Sequence, residues 1–381
     1  MRLIGRIAVL CLLVVPVLQG CANSRDIQNL AYVTALGIDY EDGKYKTYVQ
    51  VLNFSNIARS ENTQLGTEVP IWIGKGEGKT LALSLADTNT TSQFPLFWGH
   101  MKAVVLSENI LRHGGKETYS TLNRHYEVRY NVLVFGTAEK LPDVLTQRSL
   151  FNLSPLDTIM FTSVQSRSQS PYVIASYGNR LIANMNEPGN SFYMPSIAIN
   201  KNSWLEDEKK KGMFEMDGAY FFNHGKLADK MTVEELQGIR WATKKIAKTT
   251  LQVPLEEDKN AAITFTHPKL KVKPLVQGGD VTFEISVNAK GTIRESFDAS
   301  IRELEEKAEQ TIENEIRHTF KIGLAKKCDP FQLEETLYRR NPRLFHQLTK
   351  GSSFFLNERS LGSVHVKVDI TSTGKYKEVV K

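Results

Sequence analysis

The sequence predicts an α+β fold of two to three mixed domains, with mainly antiparallel sheets and a long amphipathic helix towards the C-terminus. Three observations predict it. Strand-like runs alternate between apolar and polar residues and meet at tight-turn dipeptides, the pattern of antiparallel sheets with one wet face. Capped helical segments fall between those runs. Residues 301–320 hold a single apolar stripe through about five turns of helix.

The chain opens with Arg2 and Arg6 and no acidic residue, then an almost unbroken apolar run over residues 7–18. That run is shorter than the roughly 20 residues a membrane-spanning helix needs. It reads as the apolar middle of a secretory signal covering residues 1–20. Leu18-Gln19-Gly20-Cys21 resembles the lipobox of bacterial lipoproteins, with Gln19 its unusual position. Cys21 is therefore expected to carry a diacylglycerol. Two or more acyl chains anchor a protein stably, which places the mature chain on the outer face of a membrane.

Residues 24–29 tether the fold to that anchor. A strand over residues 32–40 turns at Asp42-Gly43, a strong hairpin signal, and returns over 45–54. Residues 55–68 make a polar loop and 69–73 a short strand. Thr80 caps a helix bearing Leu81 and Leu85. After a strand over 101–106, Ser107 caps a helix that reaches about residue 123 and breaks at Gly114-Gly115. Residues 130–135 form a strand, and 141–150 a helix with Pro142 in its first turn. Residues 163–170, rich in Ser and Gln, form an exposed loop.

The run Glu206, Asp207, Glu208, Lys209, Lys210, Lys211 cannot sit in a core. It marks the expected boundary between an N-terminal α+β domain, residues 21–205, and a C-terminal one, residues 212–381, divisible near 298. Beyond it come a strand over 213–222 and a turn at Asn223-His224-Gly225. Thr232 and Glu235 form a capping box that opens a helix. Strands follow over 261–266 and 281–288, then the striped helix, then a last strand over 364–370.

Composition narrows the function classes. Removing Arg2 and Arg6 leaves 46 basic against 42 acidic residues, a mild excess spread along the chain. It suits a site beside anionic lipid and does not form a nucleic-acid stripe. Cys11 leaves with the signal and Cys21 takes lipid, so Cys328 remains alone and no internal disulfide is expected.

The nearest approach to a catalytic motif is Gly74-Lys75-Gly76-Glu77-Gly78-Lys79-Thr80, one residue short of a phosphate-binding loop because Ile73 stands where the first glycine belongs. It reads as a glycine turn leading to the Thr80 cap. The eight histidines show no i, i+4 pair for zinc, and His100, His125 and His365 read as structural. No Gly-x-Ser-x-Gly elbow occurs, and Cys328 precedes Asp329-Pro330 without a partner pattern. No enzyme, cofactor, metal or nucleic-acid role is expected.

Several stretches, in order, resemble the Ger(x)C family of spore-germination lipoproteins, the C subunits of nutrient germinant receptors. They begin with the lipobox, Arg25-Asp26-Ile27 and Leu30-Ala31-Tyr32-Val33-Thr34-Ala35-Leu36-Gly37-Ile38-Asp39. Gly78-Lys79-Thr80, Gly99-His100-Met101-Lys102-Ala103-Val104-Val105 and Arg124-His125-Tyr126-Glu127-Val128-Arg129 follow. The second half adds Gly218-Ala219-Tyr220-Phe221 and Glu235-x-x-Gly238-x-x-Trp241. Phe345 and Phe354 stand where tryptophans would be expected, and Gln332 where a glycine would follow Asp-x-Phe.

The resemblance implies a three-part α+β protein on the outer face of the spore's inner membrane, assembled with an A subunit and a polytopic B subunit. Trp241 is a candidate partner contact; its alternative place is packed between its own helix and the sheet. The rival function is a lipid-anchored extracellular solute-binding protein, for which parallel lobes around a deep cleft would be expected.

Overall fold

The computed structural model describes residues 30–52, 70–124, 128–162, 175–187, 189, 192–242, 246, 248–255, 259–296, 299–350 and 354–372. Cys21, the signal, the tether 24–29 and the loops expected over 55–68 and 163–170 lie outside the described residues.

The Asp42-Gly43 signal makes the first hairpin. β1 (Ala31–Glu41) and β2 (Lys44–Leu52) pair antiparallel, with Asp42 at φ 54° and Gly43 at φ 74°. Both positive angles are what a two-residue primed turn demands. β3 (Trp72–Gly78) adds antiparallel to β2.

Here the sequence reading needs correction. Gly74, Gly76 and Gly78 form the strand itself and not a turn. Alternate residues of a strand share a face, and α1 (Leu81–Thr91) lies directly on that face. A Cβ on Gly76 would stand 2.1 Å from the Ser84 carbonyl oxygen, and one on Gly78 2.5 Å from the Ser84 nitrogen. The glycines let helix and strand touch backbone to backbone. Ser84 Oγ seals the contact by donating to the Gly76 carbonyl at 3.0 Å, and Thr80 caps the helix by accepting from Leu83 N–H.

The short β4 (Leu96–Phe97) pairs with β1, and β5 (Ala103–Ser107) runs parallel to β1 beyond it. Ser107 caps α2 (Glu108–Leu122), and Gly114 breaks its helical geometry with φ 165° and ψ 64°. β6 (Leu133–Thr137) runs parallel to β5, and α3 (Leu141–Thr146) is one turn shorter than expected. β7 (Ser176–Tyr177), α4 (Gly178–Asn186) and β8 (Tyr193–Glu206) were not foreseen.

β8 turns at Asp207-Glu208 into β9 (Lys209–Asn223), which turns at His224-Gly225 into β10 (Lys226–Thr232). The charged run at 206–211 is thus the exposed tip of a hairpin, and one sheet continues through it. Among the described residues that sheet has ten strands, ordered β10-β9-β8-β6-β5-β1-β2-β3 along its main path. Its outer pairs are antiparallel, while β1, β5, β6 and β8 run parallel at the centre. Apolar residues bury both of its faces. Val104 and Leu106 pack with α1, α2 and α4, and Ala103 and Val105 with α3 and residues 159–161.

A second sheet has the order β11-β12-β13-β14. β11 (Lys248–Pro254), β12 (Asn260–Gln277) and β13 (Asp280–Glu295) form an antiparallel meander. α6 (Ile301–Ala325) follows, and its stripe of Leu304, Ala308, Ile312, Ile316 and Phe320 is buried against this sheet. Each such large side chain contributes about 1.5–3 kcal/mol.

After α7 (Leu333–Arg340) and α8 (Pro342–Leu348), β14 (Leu361–Ser372) pairs parallel with β13. The outer N–H groups of this edge strand do not face water bare. Val368 and Ile370 donate to the carboxylates of Glu309 and Glu305 on α6, at 2.9 and 2.8 Å. The large sheet packs on the segment that leads to the small one where Ala219, Phe221 and Met231 meet Leu236, Ile239 and Cys328.

Candidate functional site

The most developed polar feature lies where the chain passes from the large sheet to the small one. The Thr232–Glu235 box forms as expected, with Thr232 N–H donating to Glu235 Oε2 at 2.9 Å. It opens only a series of turns; regular helix is confined to α5 (Ile239–Ala242). Glu235 is held from the far side by Lys326 Nζ at 2.7 Å. Gly238 then presses on α6, where a Cβ would stand 2.6 Å from the Glu315 carbonyl oxygen. Its N–H donates to Thr319 Oγ1 at 3.0 Å, and that hydroxyl donates on to the Glu235 carbonyl.

This close approach delivers Arg240 and Trp241 to Glu315. Arg240 Nε donates to Glu315 Oε2 at 3.0 Å, Nη2 donates to Oε1, and Nη1 donates to the Thr250 carbonyl on the outer edge of β11. Trp241 Nε1 donates to Glu315 Oε2 at 2.8 Å, and its ring meets Phe265 edge-on at 5.3 Å. Arg240 is 5% and Glu315 9% exposed, so the pair is almost dry.

Trp241, read as a partner contact, offers no surface: it is fully buried. Its polar edge is spent on Glu315 and its ring on the sheet core. Glu315 escaped the sequence reading, although a signal existed. It stands three residues after Ile312 and one before Ile316, inside the apolar stripe rather than on the charged face.

Above this pair opens a cavity of about 630 Å³, walled by Gln237, Thr250, Gln252, Asn260, Thr311 and Asn314. Its walls are amides and hydroxyls together with Pro254 and the His318 imidazole, and the Arg240 and Glu315 charges at its floor are committed to each other. Such a cleft offers hydrogen bonds to a polar group. The Cys328 thiol is elsewhere and buried, and burial pushes its pKa up to about 12. Among the described residues no three His, Cys, Asp or Glu side chains gather to share a metal ion.

Comparison with known proteins matches residues 23–199 to the spore germination protein N-terminal domain, and residues 217–374 to the spore germination B3/GerAC-like C-terminal domain. The chain belongs to this family of spore germination proteins. Spore germination protein KC of Bacillus subtilis (strain 168) is 26% identical over 362 residues, covering 90% of this chain and 89% of the relative. Spore germination protein B3 of the same organism is 24% identical, covering 86% and 87%. Spore germination protein GerQC of Bacillus cereus is 24% identical over 83% of this chain and 85% of its own length.

The crystal structure of the GerBC protein shares the fold, with a TM-score of 0.53 at 19% identity over 91% of this chain and 99% of that one. Within the family frame, the segment Glu235-x-x-Gly238-x-x-Trp241 gains a physical meaning. Its three residues are the cap, the close approach and the buried hydrogen bond of one seam.

Proposed function

We propose that this chain is the lipid-anchored C subunit of a nutrient germinant receptor. Diacylglycerol on Cys21 holds it to the outer face of the spore inner membrane, where it assembles with the receptor's A and B subunits. The observation that carries the reading is the pair of family matches running in order along the chain, the first beginning two residues after Cys21. None of the described helices is long and apolar enough to cross a membrane. The subunit acts by binding and assembly rather than catalysis, in keeping with an Arg240–Glu315 pair committed to itself and a thiol that stays protonated.

Spores carrying Cys21→Ala test both parts, through membrane retention and the germination rate with amino acids and sugars. Loss of retention with failure of one nutrient response supports the reading. Loss of retention with every response normal removes the receptor role, and retention without Cys21 removes the anchor.

A second reading, direct capture of a nutrient by this subunit, is favoured by the polar lining of the cleft. Titrating amino acids and sugars against the purified chain in a calorimeter tests it. Binding lost in Asn260→Leu supports the cleft as the site.

A further inference from the structure

Strand registers bring a set of exposed groups to one end of the large sheet. The chain enters there, with Ala31 opposite Leu96 and its N–H donating to the Pro95 carbonyl. Phe94, next to that carbonyl, is 51% exposed. Trp72 opens β3 opposite Val51, itself opposite Val33, and is 69% exposed. Tyr130, whose carbonyl accepts from Asn179 N–H just before β6, is 58% exposed.

Cations share this rim. Lys102 sits one residue before the start of β5, Arg129 beside Tyr130, and Arg124 just past the end of α2; all three are exposed. Among the described residues of these loops, 94–95, 100–102, 123–124 and 128–132, no Asp or Glu occurs.

We propose that this rim is the face the protein lays on an anionic bilayer. Exposed Trp, Tyr and Phe are the side chains that settle at the headgroup level, and neighbouring Lys and Arg are drawn to anionic lipid. The inference rests on Cys21 as the anchor, and geometry links the two. Leu30 lies nine residues after Cys21, so the rim is held within about 30 Å of the acyl chains. The opposite end of the sheet carries the β8–β9 hairpin with Trp204 and Leu205 at its tip, and that hairpin points away from the lipid.

The test uses the full lipidated chain in vesicles of phosphatidylglycerol and brominated phosphatidylcholine, following tryptophan quenching by the bromine. Trp72→Phe is expected to remove most of the quenching, and Trp204→Phe to leave it. Quenching left undiminished by Trp72→Phe, or that vanishes with Trp204→Phe, overturns the orientation.

A second arm uses the chain with Cys21→Ala, so that attachment depends on the rim alone. Neutralising Lys102, Arg124 and Arg129 to Gln is expected to weaken binding to the anionic vesicles about fivefold per charge, roughly a hundredfold for all three. No dependence on these residues, or equal binding to purely zwitterionic vesicles, sinks the proposal. Mass spectrometry of the wild-type chain reports the acyl groups separately, so a missing lipid on Cys21 defeats the anchor without deciding the rim.

Discussion

The two sheets keep their polar interiors in different ways. In the described residues up to Thr232, every buried polar side chain is neutral: Thr34, Thr47, Gln50 and Ser84 are examples. They form short closed networks, such as Thr34 Oγ1 donating to Gln50 Oε1 at 2.6 Å while Gln50 donates to the Leu145 carbonyl. From Arg240 onwards the interior takes charge: Arg240, Glu315, Asp329, Glu334 and Glu335 are all buried. Neutral networks cost little to desolvate and do not titrate. Buried charges hold only while each partner is present, so the second unit is the one that substitution and pH can disturb.

The largest effect expected follows from this contrast. Glu315→Ala strands the Arg240 guanidinium and the Trp241 N–H in a dry site and is expected to lower stability by about 3–5 kcal/mol in urea unfolding. Replacing both partners, Arg240→Met with Glu315→Leu, should recover most of that loss. A loss below about 1 kcal/mol for Glu315→Ala would mean that water reaches the pair and the contrast is false.

Asp329 gives the contrast a pH signature. Burial pushes its carboxyl up from 3.8 to about 6, against backbone N–H groups, Glu334 N–H among them, that favour the charge. The folded state therefore binds this proton more tightly than the unfolded one. Its contribution is full below about pH 4 and is lost as pH rises through about 6, on the order of 3 kcal/mol in all. Asp329→Asn keeps an acceptor for those N–H groups and is expected to flatten this part of the stability profile. An unchanged slope between pH 4 and 7 would place the proton elsewhere.

In the neutral sheet, Gln50→Ala should cost about 1–3 kcal/mol by removing the donor to the Leu145 carbonyl and leaving Thr34 only its long bond to the residue 50 main-chain carbonyl. That loss should be the same at pH 5 and pH 8, and a pH-dependent loss would break the comparison. The smallest effect concerns Gln332, which sits at φ 54° and ψ 43° before α7. Gln332→Gly relieves a left-handed conformation and is expected to raise stability by about 0.5–1 kcal/mol in thermal melts.

That last residue shows how the sequence could be read. A glycine was expected at 332 from the resemblance alone, and the backbone angle supplies the reason. Local signals with short-range causes were legible. The Asp42-Gly43 turn, the Ser107 cap, the Gly114 break and the stripe of α6 all depend on neighbours a few residues away.

Signals that depend on distant chain were not. Glycines at 74, 76 and 78 looked like a turn because only the helix lying on them explains the missing side chains. Six charges at 206–211 lie between the two family matches, but that they form a hairpin tip within one sheet was not legible, because hairpin tips and linkers are equally wet. β11 escaped although Thr249, Leu251 and Val253 alternate with exposed neighbours, since seven residues carry little evidence alone. The packing of Trp241 on the sheet was among the readings, but its hydrogen bond was not, because the acceptor, Glu315, lies more than seventy residues away.

The parallel pairing of β14 with β13 has a consequence for how the molecule comes into being. An antiparallel neighbour can zip up from a hairpin as soon as it leaves the ribosome. β14 must instead wait for α6, α7 and α8 to be delivered first, and it closes one of the longest loops in the chain. Until then the outer edge of β13 stands open, and Glu305 and Glu309 have no strand to receive. Such late, long-range closure slows folding and prolongs exposure of a strand edge. The second unit thus matures only after β14 has been made, and by then the large sheet has had time to form.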